Sequence, residues 1–441
     1  MIPLCAMTSS ETILTVDEVF GITRNLPLNY VERPAVDGRL RDELQAAHHV
    51  VIYGSSKQGK TSLRKRCMDK NEYILIQCSN RSDIADLHSN ILKRAGFEIT
   101  LSQKRSSSGR NKVIASFKAA MKAALFGQGL QLEGAAGVER ETTTGTEQTT
   151  AALELDIEDV NDVIAALQSV GFRKKIVLED FHYLDQQVQR DFAVELKAFH
   201  EASDITFVIV GVWLEDNRLI VYNGDLTGRV ISVNADRWSV EELREVINVG
   251  GALLGVSFDA VFTAALIILA RESVYVVQEI CRRACSVAGV RTTRTDNPLI
   301  GADLDVDALV KKVVDEQSAR YDGFLSAFAG GFQETELQMH KWLLYALLTT
   351  STDRLKQGLN YRDIKAILRE KHPRERELNS GNITQCLQSS ASLQVKRNIM
   401  PIIIDYDHSS KTLYVVDKGF LIWLHHQDAA DLLDEIGLAV T

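Results

Sequence analysis

Residues Gly54-Ser55-Ser56-Lys57-Gln58-Gly59-Lys60-Thr61 constrain this 441-residue chain more than any other stretch. An apolar run, Val50-Val51-Ile52-Tyr53, leads into them like a buried strand, and Ser62-Leu63-Arg64-Lys65-Arg66-Cys67-Met68 follows like the first turns of a helix. The stretch fits GxxxxGK[ST], the P-loop pattern, at every fixed position. Its residue types explain the chemistry. Gly54 and Gly59 let the backbone curl so that successive N–H groups point at phosphate oxygens, with Ser55, Ser56, Lys57, Gln58 and Ser62 completing the cradle. The positive end of the following helix reinforces those donors. Lys60 is placed to reach the β- and γ-phosphates, and the Thr61 hydroxyl to sit on Mg²⁺. A chance match in a Gly/Ser turn is the competing reading, and the strand before and helix after speak against it. The expected ligand is a nucleoside triphosphate.

Hydrolysis needs a second acidic site to hold magnesium and orient water. Lys175-Ile176-Val177-Leu178-Glu179-Asp180-Phe181-His182-Tyr183-Leu184 supplies it, a short apolar strand ending in two adjacent carboxylates, the Walker B arrangement. Glu179 is expected beside Thr61 on the magnesium side and Asp180 at the water-activating position. Two solvated acids at a strand end would be the plainer explanation.

Composition bounds the rest. Two to three domains are expected at this length. An apolar content of 45% and a charged content of 25% are ordinary for a soluble globular chain. The longest apolar stretch, Phe258 to Ala270, carries Asp259 and is too short to span a bilayer. The first residues lack a basic region and soon meet Glu11, so no signal peptide is expected. Six cysteines without CxxC spacing read as buried thiols of a reducing cytoplasm. A net charge of −9 opposes non-specific nucleic-acid binding by the whole surface and leaves room for a local basic patch.

Strands alternate with helical patterns from the P-loop onward: Tyr73 to Gln77, a helix from Asp83 to Arg94, another from Ile157 to Val170, the Walker B strand, a helix from Asp185 to Phe199, and a strand from Ile205 to Gly211. That alternation predicts a doubly wound parallel sheet. Extra length lies at about 101–150. It opens on a polar segment, Lys104 to Arg110, read as mobile, and alternation around a Gly/Thr-rich centre, between Gly129-Leu130-Gln131-Leu132 and Leu153-Glu154-Leu155-Asp156, predicts a hairpin. Low-complexity disorder is the alternative there. Near the carboxy terminus, helices at Glu336 to Leu348, Tyr361 to Leu368 and Asn382 to Gln388 precede two strands, Ile402 to Asp407 and Thr412 to Val416. Three helices and a two-stranded wing make a winged helix, with Ser380, Asn382, Thr384, Gln385 and Ser389 facing outward and Lys396 and Arg397 flanking the wing. From 336 to 425 there are thirteen Lys/Arg against nine Asp/Glu, so the module is basic inside an acidic chain.

Together these features resemble the AAA+/STAND P-loop ATPases of the initiator branch, over most of the chain from Asn29 to His425. The resemblance implies an α/β fold: a P-loop ATPase core at 29–235, a helical lid and linker at 236–330, and a winged-helix domain at 331–427, between a terminal segment at 1–28 and an acidic tail at 428–441. Arg33, after Asn29-Tyr30-Val31-Glu32, matches the arginine of the family's entry segment beside the adenine. Arg229, in Leu226-Thr227-Gly228-Arg229-Val230 before Ser239-Val240-Glu241-Glu242-Leu243, matches the arginine projected at a neighbour's γ-phosphate; an arginine paired with an acid of its own subunit is the alternative. The resemblance departs at three places. Glu179-Asp180 inverts the usual Asp-Glu order, the fourth strand ends in Val212-Trp213 rather than a polar sensor (Asn217 is the nearest substitute), and Tyr275 stands where the second sensor arginine is common, with Arg282 and Arg283 two turns later. ATP and Mg²⁺ are the implied ligands, since no NKxD guanine reader occurs, and no LSGGQ-like signature points to a transporter. Two readings stay open: an oligomerising ATP-hydrolysing regulator of a separate effector, as in prokaryotic defence systems, and a DNA-binding initiator or loader.

Overall fold

The computed structural model describes residues 13–23, 25–105, 111–117, 153–333 and 335–438. Its core is a five-stranded sheet of β1 (His49–Gly54), β2 (Tyr73–Gln77), β3 (Lys175–Glu179), β4 (Phe207–Val212) and β5 (Val230–Asn234), in the order β2-β3-β4-β1-β5 and parallel throughout. β1 and β4 are buried along their whole length, because helices cover both faces. Alternate side chains of one strand serve the two faces. Val51 and Tyr53 pack with Leu87, Leu167, Phe192 and Leu196 on one side, whereas Val50 and Ile52 pack with Leu40, Leu44 and Leu63 on the other. The covering helices begin where the sequence places acidic caps. Asp83 forms a capping box with Asp86 at the start of Ile84–Arg94, and Asp185 caps Gln186–Ala202.

Of the additional segment, residues 101–105 and 111–117 are described, and both stretches are strand. Phe97–Arg105 and Asn111–Phe117 form an antiparallel pair joined by Leu153–Asp156. Arg105 pairs with Asn111, so strand runs through Lys104 and Arg105, which had been read as the start of a mobile segment. The expected hairpin around the Gly/Thr centre lies outside the described residues, apart from Leu153–Asp156.

Three helices follow the sheet: Val240–Leu254, Ala260–Leu269 and Val274–Val287. The first opens on a capping box, with Ser239 and Glu242 bonded reciprocally to each other's backbone N–H. Val306–Asp315 and Ser318–Ala329 connect them to Met339–Leu348, Thr352–Lys356, Tyr361–Lys371, Ser380–Gln388 and Ser390–Lys396. Ile404–Asp407 and Thr412–Val415 then pair antiparallel, and Leu359–Asn360 adds a third short strand. Val16–Phe20 and Ala429–Glu435 also pack here, and one continuous core runs from Val16 to Ile436. Among the described residues, no helix is long and apolar enough to cross a membrane, and Cys67, Cys78, Cys281, Cys285 and Cys386 are free thiols.

A buried ionic group joins the two halves. Arg218 donates from Nε to Glu215 Oε2 at 3.2 Å and from Nη2 to Asp405 of the C-terminal sheet, and all three side chains are buried. Burial pushes the Asp405 carboxyl above its ordinary range and Glu215 to about 7, in spite of the guanidinium. Arg218→Leu leaves both carboxylates unpaired, and we expect a loss of about 3–5 kcal/mol at about pH 8 in urea unfolding. A carboxyl whose folded pKa is raised binds more protons folded than unfolded, so its contribution falls as pH rises through that value. The deficit should therefore be smaller at about pH 5; an equal deficit at both pH values would show that the carboxylates do not titrate in the fold.

Candidate functional site

The carboxyl ends of all five strands lie at one edge, where ligands of open α/β sheets bind. The P-loop leaves β1 there at Gly54, φ 148°, and enters its helix through Gly59, φ 84°, backbone that side chains rarely adopt. A Cβ on Gly54 would stand 3.0 Å from the Asp236 nitrogen, so glycine also permits the approach of the segment after β5. Asp236 uses that approach: its Oδ1 accepts the Ser55 N–H at 2.9 Å. Lys60 is buried and donates to the Gly54 and Ser55 carbonyls at 3.0 and 2.6 Å. Burial lowers its pKa to about 8, a cost that a phosphate beside the ammonium would offset.

Walker A and Walker B meet directly. Thr61 Oγ1 donates to Glu179 Oε1 at 2.5 Å, and Arg64 Nε donates to Glu179 Oε2 at 3.0 Å. Arg64 is 2% exposed and its guanidinium also lies 4.9 Å from the Tyr73 ring centre. It had been read only as part of the helix. The available signal was its position three residues after Thr61, on the same helical face. Asp180, φ 57°, accepts a hydrogen bond from Gln77. Burial and then the adjacent Glu179 charge raise its pKa. The Thr61 hydroxyl and the Glu179 carboxylate are hard oxygen donors side by side, and they fit a magnesium ion.

The entry segment is tied to the same edge. Arg33 is buried, donates from Nη1 to the Ala235 and Arg237 carbonyls at 2.9 and 3.0 Å, and lies 4.1 Å over the Trp238 ring. Trp238 Nε1 in turn donates to the Gln58 carbonyl at 3.4 Å. Arg33, Trp238, Gly59, Ser62 and Gln278 line a small cavity of about 40 Å³. Arg33 thus stands beside the P-loop, stacked on Trp238.

Residues far along the chain close over the loop. Lys57 lies 4.2 Å over the Tyr275 ring and donates to Gln317 Oε1 at 3.0 Å. The Ser56 N–H donates to the Val416 carbonyl at 2.9 Å. Two residues on, buried Lys418 places Nζ 3.5 Å from Asp236 Oδ2 and 3.3 Å from the Glu272 carbonyl. None of Asp236, Val416 or Lys418 had been singled out. Arg282 and Arg283 are bound to Glu279, and Arg283 also to Glu316.

Arg229 is elsewhere. It precedes β5, at the end of the sheet opposite the P-loop, and pairs with Glu201 at 2.8 Å and with the Asp225 carbonyl at 2.5 Å. On the helix Ser380–Gln388, Ser380 and Gln385 are exposed, and Asn382 caps against Asn379. Ser389 is half-buried and donates to the Cys386 carbonyl, and Arg397 donates to the Gly331 carbonyl.

No family model and no curated protein matches the chain. The Walker-type ATPase of Pyrococcus abyssi matches structurally with a TM-score of 0.51 at 12% identity, over 92% of this chain and 99% of that one. The fold is that of a P-loop ATPase. Two further similar structures are Aeropyrum pernix Orc1 in complex with DNA (TM-score 0.41, 12% identity, 97% of this chain and 98% of that one) and Cdc6p of Pyrobaculum aerophilum (0.37, 12%, 96% and 99%). At those scores they add nothing to the assignment.

Proposed function

We propose that this chain is an AAA+/STAND-type ATPase that binds ATP with Mg²⁺, hydrolyses it, and uses the nucleotide state to control its assembly and a partner protein. The contact that carries this reading is the Ser56 N–H bonded to the Val416 carbonyl, since it ties the P-loop backbone to the C-terminal module. In this reading Lys60 and the loop amides other than those of Ser55 and Ser56, which are bonded to Asp236 and Val416, hold the phosphates. Thr61 and Glu179 hold magnesium, which neutralises charge on the phosphates when bound. Arg64 fixes Glu179, and Asp180 accepts the proton of the attacking water. Val416 and Lys418 then sense the loop from a module read as a winged helix.

Arg229 serves the neighbouring subunit in this scheme, exchanging its Glu201 partner for a γ-phosphate on assembly. An arginine supplied this way is worth about 10³-fold or more in turnover. Arg229→Ala is expected to leave ATP binding intact and to lower turnover only at concentrations where the wild type oligomerises. The check is specific activity against protein concentration, with sizing in ATP and in a non-hydrolysable analogue. Constant activity per molecule and a monomer in ATP would make Arg229 structural.

The exposed Ser380 and Gln385 and the basic balance of the module favour a second reading, an initiator or loader that docks on duplex DNA. It requires duplex affinity that falls steeply with salt, and absence of such binding leaves the partner a protein.

A further inference from the structure

A carboxylate draws magnesium by its negative charge, so a cation held against it changes how much the metal contributes. Arg64 is such a cation. It is 2% exposed, and its Nε donates to Glu179 Oε2 at 3.0 Å while the Thr61 hydroxyl donates to Oε1 at 2.5 Å. Both oxygens of the acid on the magnesium side are therefore bonded within the chain. The guanidinium carbon lies 4.9 Å from the Tyr73 ring centre, a cation–π contact that fixes the charge on the strand next to Walker B. Buried charges are screened far less than exposed ones, so this pairing acts at close to full strength.

Asp236 is paired in the same way. Its Oδ2 lies 3.5 Å from buried Lys418 Nζ, whereas Lys60 donates to the Gly54 and Ser55 carbonyls. Two acids at the phosphate-binding edge thus have resident counter-charges, and the Lys60 charge is left for the phosphates. Without the guanidinium, Glu179 becomes a buried charge lacking its cation beside a polyanion. A divalent cation would then be needed to bring the two together.

We propose that Arg64 is a positioning residue that sets the metal dependence of the site. By neutralising Glu179 it lets the P-loop hold a nucleoside triphosphate with little help from a divalent cation, and it loosens the hold on the metal. The two effects are one coupling. Whatever factor Mg²⁺ adds to ATP affinity, ATP adds to Mg²⁺ affinity, so a resident cation that stands in for the metal lowers both. This inference rests on the ATPase reading above and deepens it.

The test is equilibrium titration of the full chain with a fluorescent non-hydrolysable ATP analogue, in Mg²⁺ and in EDTA. Mn²⁺ binding at saturating analogue is followed alongside by electron paramagnetic resonance. In the wild type, removing the metal is expected to weaken the analogue by no more than about tenfold. Arg64→Gln keeps an N–H for Glu179 and removes the charge. It should bind the analogue at least about tenfold more weakly than wild type in EDTA, within about threefold of wild type in Mg²⁺, and Mn²⁺ at least about tenfold more tightly. Arg64→Lys restores the charge and should return the wild-type ratio within about threefold. A merely structural Arg64 would lower affinity alike under both conditions. A melt of each variant without nucleotide checks its fold, and if Arg64→Gln does not fold the wild-type ratio still decides. The proposal is overturned if the metal strengthens wild-type binding by more than about tenfold, or if Arg64→Gln keeps the wild-type ratio. Binding in Mg²⁺ alone would sink the inference and leave the ATPase reading standing, whereas no binding under either condition overturns both.

Discussion

Lys60→Ala is expected to weaken ATP binding by at least about a hundredfold and to remove turnover. The ammonium is buried, and the carbonyls of Gly54 and Ser55 hold it over the P-loop. There it would meet the β- and γ-phosphates without first reorganising solvent, so its charge acts at nearly full strength. Equilibrium binding of a fluorescent ATP analogue measures the loss, and a melt without nucleotide separates it from any loosening of the loop. Wild-type affinity in the variant would remove the P-loop assignment.

Asp180→Asn should do the opposite to binding and chemistry: ATP affinity within about threefold of wild type, and turnover lower by about 10²-fold or more. Thr61 and Glu179 still offer their oxygens to magnesium, and Arg64 still holds Glu179. Asp180 alone loses its basicity. Its pKa is raised by burial and by the Glu179 charge, so turnover should rise with pH through that value as the carboxylate forms. Glu179→Gln should instead impair metal-dependent binding, because it also frees the buried Arg64 guanidinium. If Glu179→Gln proves the more hydrolysis-specific lesion, the two acids have exchanged roles.

The sheet was legible because its signals are local. Val50 to Tyr53 is apolar on both faces, as a buried parallel strand must be, and polar cap residues such as Asp83 and Ser239 mark helix starts within a few residues. Gly54, Lys60 and Thr61 were legible for the same reason. What escaped was made by distance in the chain. Arg64 reaches Glu179 across 115 residues, Arg33 stacks on Trp238, and Val416 meets Ser56, and no periodicity encodes such pairs. Tyr275 was noticed as a replacement for an arginine, yet the partner that gives it a place, Lys57, lies on the P-loop itself. The strand through Lys104 and Arg105 was missed because charged residues carry no apolar alternation, and cross-strand pairing sets the register instead.

Hydrogen exchange of the backbone amides over 54–62 and 412–425, followed with and without ATP and Mg²⁺, tests the coupling between nucleotide and C-terminal module most directly. The Ser56–Val416 bond predicts that both segments change protection together in the wild type and that neither changes in Lys60→Ala. Protection that changes over 54–62 while 412–425 stays indifferent would contradict it.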